Sequence, residues 1–182
     1  AHVPFLHDLI PVFAPEYCLP DVVSDFLNWI GGIFDHADHF LTNSHSTAGD
    51  LAQVGRRLGR EPAHEAITVV RLDAAAPGNV DEIPVGDTLD RCGVKAGDYI
   101  LFVASIEPRK NHLMAFRAWT AMLARGMDDV PTLVCVGHGG WLNDPIYAML
   151  HSDAALAAKV RILSDVSDGE LAQLYRHCRF TI

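Results

Sequence analysis

The segment FVASIEPRKNH, residues 102–112, joins an apolar run that is typical of a β-strand to a pattern that is typical of an α-helix. Two adjacent cations, Arg109 and Lys110, lie at the junction, and Asn111 is placed to cap the helix. The buried face of that helix is predicted to contain Leu113, Phe116, Trp119 or Thr120, and Leu123. A strand that leads directly into a helix is the repeating unit of parallel α/β folds.

The same alternation continues towards the carboxyl end. Strand-like and helix-like runs follow one another in this order: YILFVAS, a helix over 111–125, TLVCVG, a helix near 145–150, KVRIL, a helix over 167–177, and RFTI. Ser167 and Glu170 have the spacing of a capping box at the start of the last helix. This part of the chain therefore predicts a parallel sheet covered by helices.

The amino-terminal part has the same order of elements after an irregular start. Residues 2–17 contain three prolines and are expected to be extended rather than helical. A helix is predicted from Asp21, weakened at its far end by Gly31 and Gly32. A strand in HFLTNS, a helix capped by Ser46 and a strand in AITVVRL follow. The inner face of the second helix is predicted to be Leu51, Val54 and Leu58.

Residues 72–97 separate these two portions. Prolines and glycines interrupt this stretch, and no periodicity is sustained in it. We interpret it as an interdomain linker between an amino-terminal domain, residues 1–71, and a second domain, residues 98–182. Pattern alone thus predicts two α/β portions.

Composition limits the classes of partner. The chain has 182 residues, with 14 Lys and Arg against 23 Asp and Glu, and its formal charge is −9. This balance opposes non-specific binding to nucleic acid or anionic membrane, so any anion site must be local. No apolar run approaches a membrane span and no signal-like leader is present, which predicts a soluble, unexported chain. The four cysteines are widely spaced and are expected to be reduced, with Cys135 a core residue.

The cations of the 102–112 segment are suited to a phosphate. A helix amino terminus offers unpaired N–H groups and a partial positive charge, and an arginine can hold two phosphate oxygens at once. In doubly wound sheets, ligands bind beyond the carboxyl ends of the strands, where this loop is predicted to lie. The alternative is that Arg109 and Lys110 are solvated loop residues that pair with Glu107 or other acids.

Several motifs, taken together, resemble one family. VASIEPRKN resembles the start of the second Rossmann-like domain of family 4 glycosyltransferases, and LVCVGHGGW and VRILSDVSDGELAQLYRHC resemble its next two strands with their turns. Upstream, HDLIPVFAPEY and ADHFLTNSHSTAGDL resemble the later part of the family's amino-terminal domain. These segments cover nearly the whole chain and occur in the family's order.

This resemblance implies a GT-B architecture, here as two Rossmann-like portions that are both incomplete. It implies transfer of a sugar, with retention, from a nucleoside-diphosphate sugar linked to GDP or UDP to a glycan or lipid-linked acceptor. It further implies a hexosyltransferase, for example a mannosyltransferase. The implied setting is polysaccharide assembly in the cytoplasm or at the inner face of the membrane. No nucleic acid, cofactor or metal is expected, because fixed cations and a helix terminus can offset the developing charge.

The resemblance also assigns roles to residues. Arg109 and Lys110 would neutralise the departing diphosphate, and His7, in the HD loop, would contact and orient the reacting groups. These three are the candidate catalytic residues. The donor-binding residues would be Ser105, Glu107, Arg109, Lys110 and, beside the nucleotide base, Val166, Ser167 and Asp168. An ordinary helix start is the simpler explanation of the last three.

The chain also departs from the family pattern. The amino-terminal glycine loop near the sugar phosphate and a carboxyl-terminal pair of acidic residues fall outside it, so we interpret it as a fragment truncated at both ends that is inactive alone. Peripheral membrane contact would involve the missing amino-terminal part. The alternatives are a non-catalytic α/β module that binds a nucleotide or sugar phosphate, and a protein-binding scaffold.

Two further patterns are weaker. His36, His39 and His45 are close in sequence, but without a completing ligand they are interpreted as structural or solvated. The glycines of GHGGW, residues 137–141, lack the spacing of a dinucleotide loop and are interpreted as a tight turn.

Overall fold

The computed structural model describes residues 1–72 and 85–182, without the side chains of residues 85–87. The chain divides into two compact units, Ala1–Ala75 and Ala76–Ile182. Residues 73–84 of the predicted linker lie outside the described residues.

The first unit is a parallel three-stranded sheet in the order β1-β2-β3, with helices. Its elements are β1 (Phe5–Leu6), α1 (Ile10–Phe13), α2 (Pro20–His36), β2 (Phe40–Thr42), α3 (His45–Arg57) and β3 (Ile67–Val69). One apolar cluster forms its core, and it includes Leu6, Ile30, Ile33, Phe40, Leu51 and Val54. The predicted order of strands and helices is confirmed.

Three details of this unit differ from the sequence predictions. The Pro-rich start contains the short helix α1, and Pro11 fits its first turn, where a missing N–H costs nothing. Helix α2 continues through its two glycines to His36, because packing of Ile30 and Ile33 outweighs weak glycine propensity. Ser44, and not Ser46, caps α3, accepting a 3.1 Å hydrogen bond from the Thr47 amide. Leu58 follows the end of α3 and is exposed.

The second unit is a parallel four-stranded sheet in the order β6-β5-β4-β7. Its elements are α4 (Val85–Cys92), β4 (Tyr99–Val103), α5 (His112–Ala124), β5 (Thr132–Val136), α6 (Asp144–Ser152), α7 (Ala154–Lys159), β6 (Val160–Leu163), α8 (Asp168–His177) and β7 (Phe180–Thr181). The predicted α/β fold class is therefore confirmed.

Both faces of this sheet are buried. Along β4, Tyr99 and Leu101 belong to one apolar cluster, whereas Ile100 belongs to the other. In β5, Leu133 alternates in the same way with Val134. Burial on both faces explains why these strands read as continuous apolar runs in the sequence.

Helices α4 and α7 were not predicted. Helix α4 lies within the stretch interpreted as a linker, yet Leu89 and Cys92 are 8% and 3% exposed and pack in the cluster of Tyr99 and Leu174. Helix α7 begins where the Asp153 carboxylate accepts hydrogen bonds from the next turn. Both helices are too short for periodicity to reveal, and tertiary packing or capping stabilises them.

Two further sequence predictions concern the state of the cysteines and the lack of a membrane-spanning segment. All four cysteines are free thiols. Cys135 is fully buried in the sheet, and burial raises the pKa of its thiol to about 12, which fits the predicted core role. Among the described residues, the helices are all too short or too polar to cross a bilayer.

Candidate functional site

The segment that follows β4 lies where the order of the parallel strands reverses. The chain builds β4, β5 and β6 outward on one side, then returns to place β7 on the other side of β4. In open parallel sheets, a crevice forms at the carboxyl ends of the strands at such a reversal, and ligands bind there. We call residues 104–111, between β4 and α5, the β4–α5 loop.

The β4–α5 loop is joined to the loop after β5 by backbone hydrogen bonds. The Ala104 amide donates to the Val136 carbonyl at 3.0 Å, and the Ile106 amide donates to the His138 carbonyl at 2.9 Å. The Gly140 amide then donates to the Ile106 carbonyl at 3.0 Å. The pairing of the two strands thus extends beyond the sheet and fixes the loop.

This close approach explains the glycines of the second loop. A Cβ atom on Gly137 would lie 2.1 Å from the Ala104 carbonyl oxygen, and one on Gly140 would lie 3.0 Å from the Glu107 Cβ. The sequence interpretation as a tight turn was incomplete, because contact between the two loops requires glycine at 137 and leaves little room for a side chain at 140.

The entrance of α5 differs from its prediction. Pro108–Lys110 forms one 3₁₀ turn, and Asn111 has left-handed backbone angles, φ 59° and ψ 38°. Its side chain makes no capping hydrogen bond, so the predicted side-chain cap is wrong. Asn is one of the residues that tolerate this conformation. The Met114 amide donates to the Asn111 carbonyl at 3.0 Å, so the Asn111 backbone, and not its side chain, satisfies part of the first turn of α5.

The two cations of the loop have different surroundings. Arg109 Nη2 lies 2.8 Å from Glu107 Oε1, and the two side chains are 30% and 4% exposed. The pairing offered as an alternative in the sequence analysis is therefore present for Arg109. Lys110 is half-buried and forms no ion pair within the part of the chain that the structure describes. Ser105 lies in the same loop and is exposed.

His112 is a buried polar residue that the sequence analysis did not single out. Its ring is fully buried and stacks on Phe102 with centroids 4.3 Å apart and an interplanar angle of 10°. Among the described residues, no group meets full hydrogen-bond geometry with either ring nitrogen, and the Glu107 backbone is a weaker, poorly aligned partner. Burial lowers the pKa of His112, although the Glu107 backbone opposes this shift. The sequence signal for its burial was its position four residues before Phe116, which places both side chains on the same face of α5.

The turn before α8 holds the predicted base-side residues. Ser167 and Glu170 form a reciprocal capping box, as predicted, with the Ser167 amide 2.9 Å from Glu170 Oε2. Val166 is half-buried against an apolar cluster, and Asp168 is exposed. The turn has a structural role, and its contact with a nucleotide base stays a prediction.

Arg91 supports this turn and was missed because α4 was missed. Its guanidinium pairs with Glu170 Oε1 at 2.5 Å and donates to the Asp165 carbonyl at 3.1 Å. Hydrogen bonds from Ser167 and the pair with Arg91 lower the pKa of Glu170, because both favour its charged form.

His7 belongs to the first unit. It follows β1, its side chain is exposed, and its ring lies 4.8 Å from the Phe5 ring. The Thr47 hydroxyl donates to its carbonyl at 3.0 Å, which ties the loop to the start of α3. Asp8 accepts a 3.1 Å hydrogen bond from the amide of Ile10, the first residue of α1. The role of His7 stays a prediction.

The histidines considered as metal ligands have other surroundings. His39 Nε2 lies 2.8 Å from the Thr68 hydroxyl, across neighbouring strands. Within residues 1–72 and 85–182, no three or more His, Cys, Asp or Glu side chains are grouped in a way that would hold a metal ion.

The similar curated proteins reported for this chain are mannosyltransferases. No protein-family model matches the chain. The serotype-specific mannosyltransferase WbdA of Escherichia coli is 26% identical over 182 residues, which cover 97% of this chain and 22% of that protein. Another WbdA sequence from Escherichia coli is 26% identical over 184 residues, with the same two shares. The chain thus spans about a fifth of the length of these curated relatives.

A solved structure shares the fold. A UDP-forming α,α-trehalose-phosphate synthase from Burkholderia xenovorans matches with a TM-score of 0.62 and 12% identity, over 98% of this chain and 46% of that one. The parallel α/β architecture matches this GT-B neighbour. The chain is therefore similar in sequence to glycosyltransferases and similar in fold to one of GT-B type.

Proposed function

We propose that the chain is part of a retaining family 4 glycosyltransferase. The longer enzyme moves a hexose, such as mannose, from a GDP- or UDP-linked donor to a glycan or lipid-linked acceptor. Similarity to a mannosyltransferase along 97% of the chain supports this proposal. The proposed setting is polysaccharide assembly in the cytoplasm or at the inner face of the membrane.

One observation carries the proposal. Arg109 and Lys110 lie at the entrance of α5, in the loop that follows β4 at the reversal of strand order. During sugar transfer, the bond between the anomeric carbon and the diphosphate oxygen breaks, and negative charge develops on that oxygen. Cations held next to a helix amino terminus stabilise such charge without reorganising, and no metal is required.

The other predicted residues have supporting parts in this proposal. Glu107 holds Arg109, and Ser105 is exposed in the same loop. The turn of Val166, Ser167 and Asp168 contacts the base, and His7 orients the donor sugar or acceptor.

Calorimetric titration with GDP and UDP tests the nucleotide site. Lys110→Ala is the cleaner variant, because Lys110 has no ion pair among the described residues, whereas Arg109→Ala leaves the buried Glu107 unpaired. Each replacement removes a charge-assisted contact and is expected to weaken nucleotide binding by about ten- to a hundredfold.

Lys95→Ala is the matched control. Lys95 is exposed and precedes β4, so the variant changes net charge equally at the opposite end of the strand. It should bind GDP and UDP like the original chain. Absence of heat with both nucleotides would refute the nucleotide site, and equal losses in the Lys95 and Lys110 variants would refute the local assignment. Sugar transfer by the longer enzyme then separates an enzyme from a module that only binds.

A further inference from the structure

Glu107 is a buried carboxylate in the β4–α5 loop. The residue is 3% exposed, and Arg109 is the only cation paired with it among the described residues. The backbone of Gly140 covers it, since a Cβ there would lie 3.2 Å from Glu107 Oε2. Its Oε1 has no partner with hydrogen-bond geometry despite the 2.8 Å approach of Arg109, so the pair is close but poorly aligned.

A carboxylate at this place has two opposite effects on an anionic ligand. It restrains the guanidinium of Arg109, which is flexible when unpaired. It also competes with the ligand for that guanidinium, and it repels negative charge through a poorly screened interior. A neutral side chain of the same size would keep much of the restraint without the repulsion.

We propose that Glu107 is a positioning residue that holds Arg109 in the nucleotide-free site and promotes release of the nucleoside diphosphate. This inference rests on the proposed function and assigns the regulation of that same site. Glu107 acts through Arg109 and need not touch the ligand.

The chemistry of transfer makes the effect selective for product. When the anomeric carbon–oxygen bond breaks, its electron pair stays on the terminal phosphate oxygen of the leaving nucleoside diphosphate. The acceptor oxygen forms the new bond to carbon, and its proton passes to the leaving phosphate oxygen and from there to water. A terminal phosphate has a second pKa of about 6, so at neutral pH the product carries about one more negative charge than the donor. Glu107 therefore weakens binding of the product more than binding of the donor.

Two substitutions separate charge from size. Glu107→Gln removes the charge and keeps the shape, whereas Glu107→Asp keeps the charge and withdraws it by one methylene. Both variants and the original chain are titrated calorimetrically with GDP, GDP-mannose, UDP and UDP-glucose, and urea unfolding is measured for each. Guanosine and uridine serve as uncharged probes.

Tighter binding is the expected result, which loss of a merely structural residue would not produce. Glu107→Gln should bind nucleoside diphosphates about tenfold more tightly and the nucleotide sugars about threefold more tightly. Glu107→Asp should give about a twofold gain for the diphosphates. Affinity for the nucleosides should not change. In the longer enzyme, product inhibition should strengthen more than the donor KM falls.

Each contrary outcome has a distinct meaning. Equal or weaker diphosphate binding in a folded variant would overturn the inference while leaving the nucleotide site intact. Equal gains for diphosphates and nucleotide sugars would overturn the selectivity for product. If Glu107→Gln does not fold, Glu107→Asp decides, and unfolding of both would overturn the inference, because Glu107 would then be a structural residue of the fold. Failure of the original chain to bind any nucleotide would instead refute the proposed function, and the inference with it.

Discussion

Replacing Gly137 with alanine should displace the loop that carries Arg109 and Lys110. The added Cβ would lie 2.1 Å from the Ala104 carbonyl oxygen, 2.6 Å from its carbonyl carbon and 3.1 Å from the Ser105 amide nitrogen. All three are backbone atoms, so no side-chain rotation relieves the overlap. Ordinary contact begins near 3.4 Å, so one loop must move by more than about 1 Å.

The size of the effect follows from what holds these atoms. The Ala104 amide donates to Val136 at 3.0 Å, and the Gly137 amide donates to Leu163 at 2.9 Å, so movement strains two hydrogen bonds. Overpacking costs about 1–3 kcal/mol, and each hydrogen bond contributes about 1 kcal/mol. We expect a loss of about 3 kcal/mol in unfolding free energy. A misplacement of about 1 Å can cost about a hundredfold in rate, and a comparable displacement should weaken GDP binding strongly.

Urea unfolding and calorimetric GDP titration measure the two effects. Gly49→Ala is the control, because Gly49 lies inside α3 with no atom within 4 Å of an added Cβ. It should raise the unfolding free energy by about 0.5–1 kcal/mol and leave GDP binding unchanged. If Gly137→Ala kept its stability and GDP affinity, the proposed contact between the two loops would be refuted.

Three further predictions concern the second unit. Because burial lowers the pKa of His112, the folded chain binds fewer protons there than the unfolded chain, so unfolding free energy should fall as pH drops below about 6.5. His112→Phe should flatten this dependence in urea titrations from pH 7 to 5; an unchanged slope would contradict it. Tyr99→Phe removes a 2.7 Å hydrogen bond to the Leu174 carbonyl and should cost about 1 kcal/mol, since the Cys178 amide still donates to that carbonyl. Ser167→Ala should cost about 1 kcal/mol in the same assay, whereas Ser167→Asp, which can still cap α8, should cost little.

The strands of the second unit were predictable because the sheet is buried on both faces. Tyr99–Val103 and residues 133–136 have apolar side chains at successive positions, and such a short run is typical of a strand with both faces buried. The capping box of Ser167 and Glu170 was predictable because both partners are close in sequence.

The remaining elements depend on contacts that sequence spacing does not encode. Helix α4 is stabilised by burial of Leu89 and Cys92, which becomes visible only when the sheet is in place. Ser44 and Ser46 are both plausible caps, and the choice follows from where β2 ends. Arg91 acquires its role only through packing of α4 near α8.

The candidate site likewise has features that were predictable from the sequence and features that were not. The position of Arg109 and Lys110 after a strand and before a helix was evident from sequence. The ion pair of Arg109 with Glu107 was one of two alternatives, and coordinates were needed to choose. The contact of Gly137 with Ala104 joins residues far apart in the chain and had no local signal.

The proposed diphosphate site is compatible with an acidic chain, because the charges that matter would lie close to the ligand. Charges separated through solvent by more than about 10 Å are largely screened at ordinary ionic strength, so most of the formal −9 has little influence at the β4–α5 loop. Within that loop, two cations and one carboxylate leave a single positive charge, to which the start of α5 adds about half a charge. Neutralising Glu107 would double the side-chain charge of the loop, whereas neutralising a distant acid would change almost nothing. Affinity at the proposed site would therefore depend on how the two hydrogen-bonded loops place three side chains.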